Sequence, residues 1–302
     1  MQLTQEQLDK FDKDGCLAIE GFLSKETVAE LNNEIENLYK TIELKTHPLT
    51  KFTTENDGEH VGDDYFLNSS DKISFFFEVD AFEDGELVKP LDKAINKIGH
   101  GLHFLNKKFY DVTVNDEIKT IAKQLGFKDP RAVQSMVIVK QPEIGGVVPS
   151  HTDAEFLYTN PVSCKGFWFA LQDCTLTNGC LSYYPGSHKK YPLTKRFVKD
   201  VKKGSGTKFI NLADGSDYDP ETDETKQDKS DPKNFVSVEI PAGSLVLIHG
   251  TVLHKSERNT SLGSRNAYTF HVVEGGAEYD DLNWLQMPPD KPSGTANFEK
   301  LS

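Results

Sequence analysis

The chain has 302 residues and a formal net charge of -13 at pH 7, with 47 acidic residues against 34 lysines and arginines. This acidity excludes nucleic acid and anionic membrane surfaces as main partners, because their phosphates would be repelled. The 19 phenylalanines and 10 tyrosines predict a chain that buries a sizeable core rather than a disordered one. No apolar run is long enough to cross a bilayer.

Two further features concern the compartment. The opening residues are polar and charged, unlike a secretory signal peptide, and the last three are not Ser-Lys-Leu. The four cysteines contain no Cys-x-x-Cys pair, which favours a reducing environment. We therefore expect a cytoplasmic protein. Separately, we predict that it is a monomer and that its partner is a small-molecule substrate.

The N-terminal elements are mostly helical. The first forty residues predict a helix, a short strand and a second helix with apolar residues at i+3 and i+4 steps. A polar loop over 46–64 precedes a buried strand over 73–79. The stripe Leu91, Ile95, Ile98, Leu102 and Leu105 predicts a helix over 90–109, and another short helix is expected over 116–125.

After Pro130 the pattern becomes that of short strands separated by Pro and Gly turns. The predicted strands cover 132–140, 166–172, 181–184, 235–239, 244–249 and 267–273. Many short strands with such turns favour a sandwich or a closed jelly roll. The simplest organisation is one domain over 1–302, with a helical part over about 1–129 and a β core over about 130–286.

An acidic segment interrupts this β core at about 212–234. Between Asp214 and Asp231 it carries eight acidic residues against two lysines, and it lacks apolar periodicity. The interpretation we favour is a solvated surface insertion. A calcium loop is the alternative, but the spacing lacks the EF-hand pattern and its glycine.

The candidate chemistry lies in His151-Thr152-Asp153, His254 and Arg265. On a strand, residues two apart face the same side, so His151 and Asp153 could bind one ion. Two histidines and one carboxylate form the facial triad of non-haem Fe(II), with three positions open for a bidentate keto acid and dioxygen. Arg265, eleven residues after His254, could bind the far carboxylate of that acid. His249 competes with His254 for the third ligand position, but His254 has the spacing to Arg265 and is followed by Ser256.

The sequence resembles the phytanoyl-CoA dioxygenase family of Fe(II)/2-oxoglutarate oxygenases over nearly its whole length. The resemblance depends on short motifs along the chain: Asp14-Gly15-Cys16, Asp71-Lys72-Ile73, Ile95-Asn96-Lys97, Gln134-Ser135-Met136, His151-Thr152-Asp153, Pro185-Gly186-Ser187-His188, His254-Lys255-Ser256, Arg265-Asn266-Ala267 and Asn283-Trp284-Leu285-Gln286. It implies a mainly β protein with added helices, whose core is a double-stranded β-helix of the cupin-like kind behind an N-terminal helical layer.

The resemblance also implies the residue roles. Iron would be held by His151, Asp153 and His254, and the distal carboxylate of 2-oxoglutarate by Arg265 and Ser256. Three further residues match positions that contact the cosubstrate in similar proteins: Lys97, Met136 and Trp168. The implied reaction is oxidative decarboxylation of 2-oxoglutarate to succinate with hydroxylation of a substrate, using dioxygen and, as an expected reductant, ascorbate.

Other readings stay open at this point. Trp168 could fill the core, and Gln134, Phe156 and Tyr158 could line a cavity or belong to the scaffold. His188 is read as structural or at the cavity rim, and His271 as packing on the last strand rather than binding metal. Three alternative functions remain: a 2-oxoglutarate or metal sensor without productive hydroxylation, an acyl-CoA 2-hydroxylase, and a cupin-type metal enzyme without 2-oxoglutarate.

Overall fold

The computed structural model describes residues 1–53 and 62–301. Its α-helices are α1 (Gln5–Asp14), α2 (Lys25–Tyr39), α3 (Asp64–Leu67), α4 (Leu102–Leu105), α5 (Lys107–Thr113), α6 (Asp116–Gln124), α7 (Asp153–Phe156), α8 (Ser187–Lys190) and α9 (Lys226–Ser230). No helix in these residues is long and apolar enough to cross a membrane. Part of the loop expected over 46–64 lies outside the described residues.

The strands form two main antiparallel sheets. They are β1 (Cys16–Ile19), β2 (Ile73–Phe77), β3 (Phe82–Glu83), β4 (Glu86–Leu87), β5 (Ile95–His100), β6 (Pro130–Lys140), β7 (Val148–His151), β8 (Lys165–Ala170), β9 (Leu181–Tyr183), β10 (Lys195–Lys199), β11 (Thr207–Asn211), β12 (Val236–Val238), β13 (Leu245–His249), β14 (His254–Ser256), β15 (Arg265–Glu274) and β16 (Glu299–Lys300). The major sheet has the order β1-β13-β8-β15-β6-β5-β2, with β16 on β6. The minor sheet has the order β12-β9-β14-β7, while β10-β11 and β3-β4 are separate pairs.

The two main sheets face each other across an apolar layer. Trp168 and Ile248 of the major sheet belong to one buried cluster with Leu181 and Tyr183 of the minor sheet. Side chains on the opposite face of the major sheet pack in a second cluster with α2, α5 and α6. Because every main-sheet strand is antiparallel and the layers stack in this way, the expected double-stranded β-helix with a helical N-terminal layer is confirmed. The domain boundaries stay predictions.

The N-terminal helices begin where the sequence supplies caps. Thr4 and Gln7 form a capping box at α1, and Gly15 ends that helix with φ 78°. The hydroxyl of Ser24 accepts from the Thr27 backbone amide at the start of α2. The predicted apolar face of α2, which includes Leu31 and Ile35, is buried against the major sheet. The helix predicted over 116–125 is confirmed as α6.

The helix predicted over 90–109 is wrong over its first half. Residues Ile95–His100 form β5, paired with β2 and β6, and α4 and α5 follow it. A register shift between Phe76 and Phe77 leaves Asn96 without a strand partner, since Phe77 faces Ile95 and Phe76 faces Lys97. This bulge breaks the two-residue alternation that marks a strand, so the apolar spacing imitated a helix.

The strands predicted after Pro130 all overlap observed ones, but five of the described strands in this part of the chain were missed. These are β7, β10, β11, β14 and β16. They are short or carry many charged residues, for example Lys195–Lys199, so their sequences lack the apolar pattern of a buried strand. Two of them, β7 and β14, carry the candidate metal ligands.

Acid should destabilise the fold through buried histidines such as His103 on α4. Burial lowers the pKa of His103 from 6.5 to about 3, and its Nδ1 lies 2.8 Å from the Ser135 hydroxyl. At pH values between these two pKa values, the unfolded chain binds a proton that the native state does not. The free energy of unfolding therefore falls as the pH falls. In a His103→Leu variant the slope of the free energy of unfolding against pH, measured by denaturant titration between pH 5 and 6, should be smaller by about 1.4 kcal/mol per pH unit. An unchanged slope would contradict this assignment.

Candidate metal and cosubstrate site

Three candidate metal ligands converge where the minor sheet meets α7. His151 ends β7, Asp153 begins α7, and His254 begins β14, where it faces His151 across the β7–β14 pair. The Nε2 atoms of His254 and His151 lie 3.5 Å and 3.9 Å from Oδ1 of Asp153. One ion bonded at about 2.1 Å to each atom can span such separations. Among the described residues, this is the one group of three His, Cys, Asp or Glu ligand atoms that lie within 4.8 Å of one another.

This geometry differs in one respect from the sequence expectation. His151 and Asp153 were expected on one strand, whereas β7 ends at His151 and Asp153 lies in the first turn of α7. The structure brings His254 into the group and leaves His249 outside it. His249 instead packs 4.8 Å from the ring of His188 and 6.2 Å from that of Phe11.

The protonation states in the group suit a metal ion. Nδ1 of His151 donates to the Pro149 carbonyl at 2.8 Å, and Nδ1 of His254 donates to the Val252 carbonyl at 3.1 Å. Both Nε2 lone pairs are therefore free to face a metal. Burial and the neighbouring His254 lower the pKa of His151 to about 3, so the ring is neutral near pH 7. Burial alone would raise the pKa of Asp153, but His271 and His254 lower it overall, so the carboxylate is ionised.

A second group of residues surrounds the Arg265 guanidinium. Arg265 is 2% exposed, and its Nη2 donates to the Gly179 carbonyl at 3.0 Å. Its Nε has no hydrogen-bond partner, and no ion pair between described residues includes Arg265. The guanidinium carbon lies 5.4 Å from the ring centre of Trp168. A buried cation with an unpartnered donor and no carboxylate fits an anionic ligand.

One cavity of about 890 Å³ contains both groups. It is lined by all eight residues singled out in the sequence: Lys97, Met136, His151, Asp153, Trp168, His254, Ser256 and Arg265. Of the further candidates, Gln134 and Phe156 also line it, whereas Tyr158 does not. His188 is structural, since its Nε2 donates to the Asp12 carbonyl of α1 at 3.0 Å.

Lys97 reaches this cavity from β5, not from a helix. It faces Ile138 of β6, and its Nζ lies 3.3 Å from the ring centre of Phe52. No ion pair between described residues includes Lys97, and burial lowers its pKa to about 7. The ammonium form of Lys97 is thus poorly solvated, and Glu78 attracts it without forming an ion pair, so this form is unfavourable until an anion binds.

A Lys97→Met variant should therefore melt a few degrees higher than the wild type when ligand-free, because a desolvated ammonium is replaced by an apolar chain. The same variant should bind 2-oxoglutarate more weakly. Lys128→Met, at an exposed position, is the matched control and should change neither property. Differential scanning fluorimetry with and without 2-oxoglutarate measures both effects. A lower melting temperature for ligand-free Lys97→Met would contradict the argument.

The acidic insertion has an exposed surface and also contributes residues to the cavity. Six of its eight acidic residues are exposed, as expected for a surface segment. Its Tyr218, Asp223 and Lys229 nevertheless line the cavity, and Lys229 pairs with Asp223 at 2.9 Å. The carbonyl of Lys229 accepts from the Ser150 hydroxyl, next to His151, at 3.2 Å. The insertion therefore forms a wall of the candidate site.

Aromatic rings form the wall between this insertion and the metal ligands. Phe156 lies 5.9 Å from the ring of His151. It also packs 5.3 Å from Phe197 on β10 and 5.5 Å from Phe209 on β11. Since β10 and β11 carry no apolar strand pattern, this wall was not visible in the sequence.

Two further residues that line the cavity, Lys140 and His271, were not predicted from the sequence to do so. Lys140 on β6 faces Arg265 on β15, so the two cations share one face of the sheet. His271 contacts Asp153, with its Nε2 3.3 Å from Oδ2, although it was expected only to pack on the last strand. The signal for His271 was its even spacing from Arg265, since alternate residues of a strand face one side.

The fold and the site together define a class of protein. A double-stranded β-helix that presents two histidines and one carboxylate at a shared centre has the arrangement of mononuclear non-haem iron oxygenases. The family model described as Phytanoyl-CoA dioxygenase (PhyH) matches residues 11–267. The chain belongs to this family, as its sequence motifs indicated.

The chain is similar to sequence relatives over nearly its whole length and to more distant solved structures. The Caenorhabditis elegans protein named phytanoyl-CoA dioxygenase domain-containing protein 1 homolog is 44% identical over 284 residues, which cover 92% of this chain and 94% of that protein. The non-heme alpha ketoglutarate dependent carbocyclase SnoK matches with a TM-score of 0.65 and 18% identity, covering 99% of this chain and 97% of that one. EctD from S. alaskensis, solved with 2-oxoglutarate and 5-hydroxyectoine, matches with a TM-score of 0.62 and 16% identity, covering 98% and 85%. At these identities the structures establish the shared fold.

Proposed function

We propose that this protein is an Fe(II)- and 2-oxoglutarate-dependent dioxygenase. It would couple oxidative decarboxylation of 2-oxoglutarate to succinate with hydroxylation of a small-molecule substrate. The observation that carries this proposal is one cavity that holds both the His151, Asp153 and His254 group and the Arg265 guanidinium, which forms no ion pair with any described residue. A cupin-type enzyme without 2-oxoglutarate would leave the buried Arg265 without an anionic partner.

The donor set fits iron. Two imidazoles and one carboxylate on a shared centre would hold Fe(II) and leave three coordination positions open. When bound, the metal supplies the redox chemistry that activates dioxygen for oxidation of an unactivated C–H bond. The backbone carbonyls of Pro149 and Val252 fix the two ligand rings in the orientation that this requires.

The cosubstrate would be oriented by its two ends. Its 2-oxo acid end would lie at the metal ligands, and its distal carboxylate would accept from Arg265 and Ser256. Arg265 is held in place by the Gly179 carbonyl and the face of Trp168, so its fork is already oriented before the ligand binds. Lys97 and Met136 would close the remaining sides and exclude water from the cosubstrate.

The substrate would enter along the aromatic wall of Phe156, Phe197 and Phe209, next to the insertion. These rings can hold an apolar part of a small molecule beside the metal ligands. SnoK is described as a carbocyclase, and EctD was solved with a hydroxylated compound, so the shared fold alone does not fix the outcome of the reaction. Hydroxylation is proposed from family membership. A cytoplasmic location and a monomeric state stay predictions.

The test is succinate formation. Purified protein with Fe(II), ascorbate and 2-oxoglutarate under air should release succinate, and release should increase when a screen of acyl-CoAs, free acids, nucleosides and peptides reaches the substrate. Tight 2-oxoglutarate binding without succinate above background would favour a sensor instead. Full turnover by His151→Ala would show that the proposed site is wrong.

A further inference from the structure

A buried relay of side chains lies behind the candidate metal ligands and takes no part in the roles assigned so far. His271 on β15 places its Nε2 3.3 Å from Oδ2 of Asp153. On its other side, Nδ1 of His271 lies 3.3 Å from the amide nitrogen of Gln134, which faces it on β6. His271 and Gln134 are each 5% exposed.

The relay fixes where the proton of His271 resides. The Gln134 amide N–H donates to Nδ1 of His271, and a nitrogen that accepts a hydrogen bond carries no proton. The proton on the other ring nitrogen, Nε2, therefore faces Asp153, and Nε2 donates a hydrogen bond to Oδ2 of that carboxylate. Each of the three residues thus has a defined orientation.

The two oxygens of Asp153 consequently have different partners. Oδ1 faces Nε2 of His254 and of His151, whereas Oδ2 faces His271. A carboxylate free to rotate could bind a metal through both oxygens and so occupy one of the three open positions. A carboxylate whose second oxygen is held elsewhere binds through one oxygen, which leaves the full set of positions for a bidentate keto acid and dioxygen.

The backbone packs closely around this contact. A Cβ added at Gly166 would lie 3.2 Å from Oδ2 of Asp153 and 3.6 Å from Nε2 of His271. The absence of a side chain at Gly166 therefore makes room for the pair. His271 itself does not belong to the group of three ligand atoms that converge within 4.8 Å, so it is not placed as a fourth ligand.

We propose that His271, oriented by Gln134, is a positioning residue that holds Asp153 as a one-oxygen metal ligand. This inference rests on the proposed function, because it assumes that the three-residue group binds a divalent metal. It predicts that loss of the hydrogen bond from His271 weakens metal binding and also weakens 2-oxoglutarate binding to the metal-loaded protein, since Oδ2 then competes for a coordination position.

The test measures binding rather than turnover. Mn(II) affinity, and then 2-oxoglutarate affinity at saturating Mn(II), are determined by calorimetry for wild type, His271→Phe and His271→Gln. His271→Phe should lose about 10- to 100-fold in Mn(II) affinity, as for other partners of metal ligands, and should bind 2-oxoglutarate more weakly. His271→Gln keeps an N–H donor and should recover part of both losses. His103→Phe, which removes another buried histidine outside the cavity, should match the wild type.

The possible outcomes separate the two proposals. Wild-type affinities in His271→Phe, or equal losses in the Phe and Gln variants, would overturn the positioning role while leaving the metal site intact. A wild-type protein that binds no Mn(II) would instead overturn the proposed function. If His271→Phe does not fold, as judged by circular dichroism, Gln134→Leu replaces it. That variant should show a smaller loss of Mn(II) affinity than His271→Phe is expected to show, and wild-type affinity would overturn the relay.

Discussion

Replacing His254 with alanine is expected to abolish both metal binding and succinate formation. Nε2 of His254 lies 3.5 Å from Oδ1 of Asp153, and its ring packs 4.2 Å from the tilted ring of His151, so its loss removes one of three ligands. Partners that only orient a metal ligand are worth 10–100-fold in affinity, so loss of a ligand should cost more than about a hundredfold. Calorimetry with Mn(II) and a succinate assay measure the two effects.

The matched control for this variant is His249→Ala. His249 lies five residues earlier in the sequence and was the competing candidate, but it packs against His188 and Phe11 outside the cavity. Its loss should lower stability without changing Mn(II) affinity. If the two alanine variants lost metal binding equally, His254 could not be assigned as the ligand on this geometry.

The second large effect is expected at Arg265. An Arg265→Ala variant should bind 2-oxoglutarate about a hundredfold more weakly or worse, because each hydrogen bond between charged groups contributes about 1.5–3 kcal/mol and tenfold in affinity corresponds to about 1.4 kcal/mol. Arg265→Lys should recover only part of this loss, since one ammonium cannot reproduce the two-donor fork over Trp168. The measurement is 2-oxoglutarate titration of Mn(II)-loaded protein.

The ligand itself supplies the control for Arg265. 2-Oxobutyrate has the same 2-oxo acid group but no distal carboxylate, so it should bind weakly to the wild type and no more weakly to Arg265→Ala. If the variant lost equal affinity for both compounds, Arg265 would act through the fold rather than through the distal carboxylate.

The parts of the site that the sequence could predict lie close together along the chain. His151 and Asp153 are two residues apart, and Ser256 and Arg265 follow His254 at short distances. Chemistry that depends on such spacing is visible without a structure. The choice of His254 over His249 also followed from spacing, and the structure places His254 in the cluster.

The parts that could not be predicted depend on pairing between distant strands. Lys97 was expected on a helix because a bulge at Asn96 hides the alternation of β5. Gln134 and His271 meet only because β6 and β15 pair in one register, and that register is long-range information. The insertion was judged by its exposed acidic residues, whereas its role at the cavity depends on Tyr218 and Lys229, which carry no sequence pattern.

The most direct test of the central claim, that one cavity holds both a metal and 2-oxoglutarate, is an anaerobic crystal structure with Mn(II) and 2-oxoglutarate. The anomalous signal of manganese should lie between Nε2 of His151, Nε2 of His254 and Oδ1 of Asp153. The distal carboxylate of 2-oxoglutarate should lie on Arg265. A manganese signal among the carboxylates of the insertion, or 2-oxoglutarate bound away from Arg265, would contradict the account.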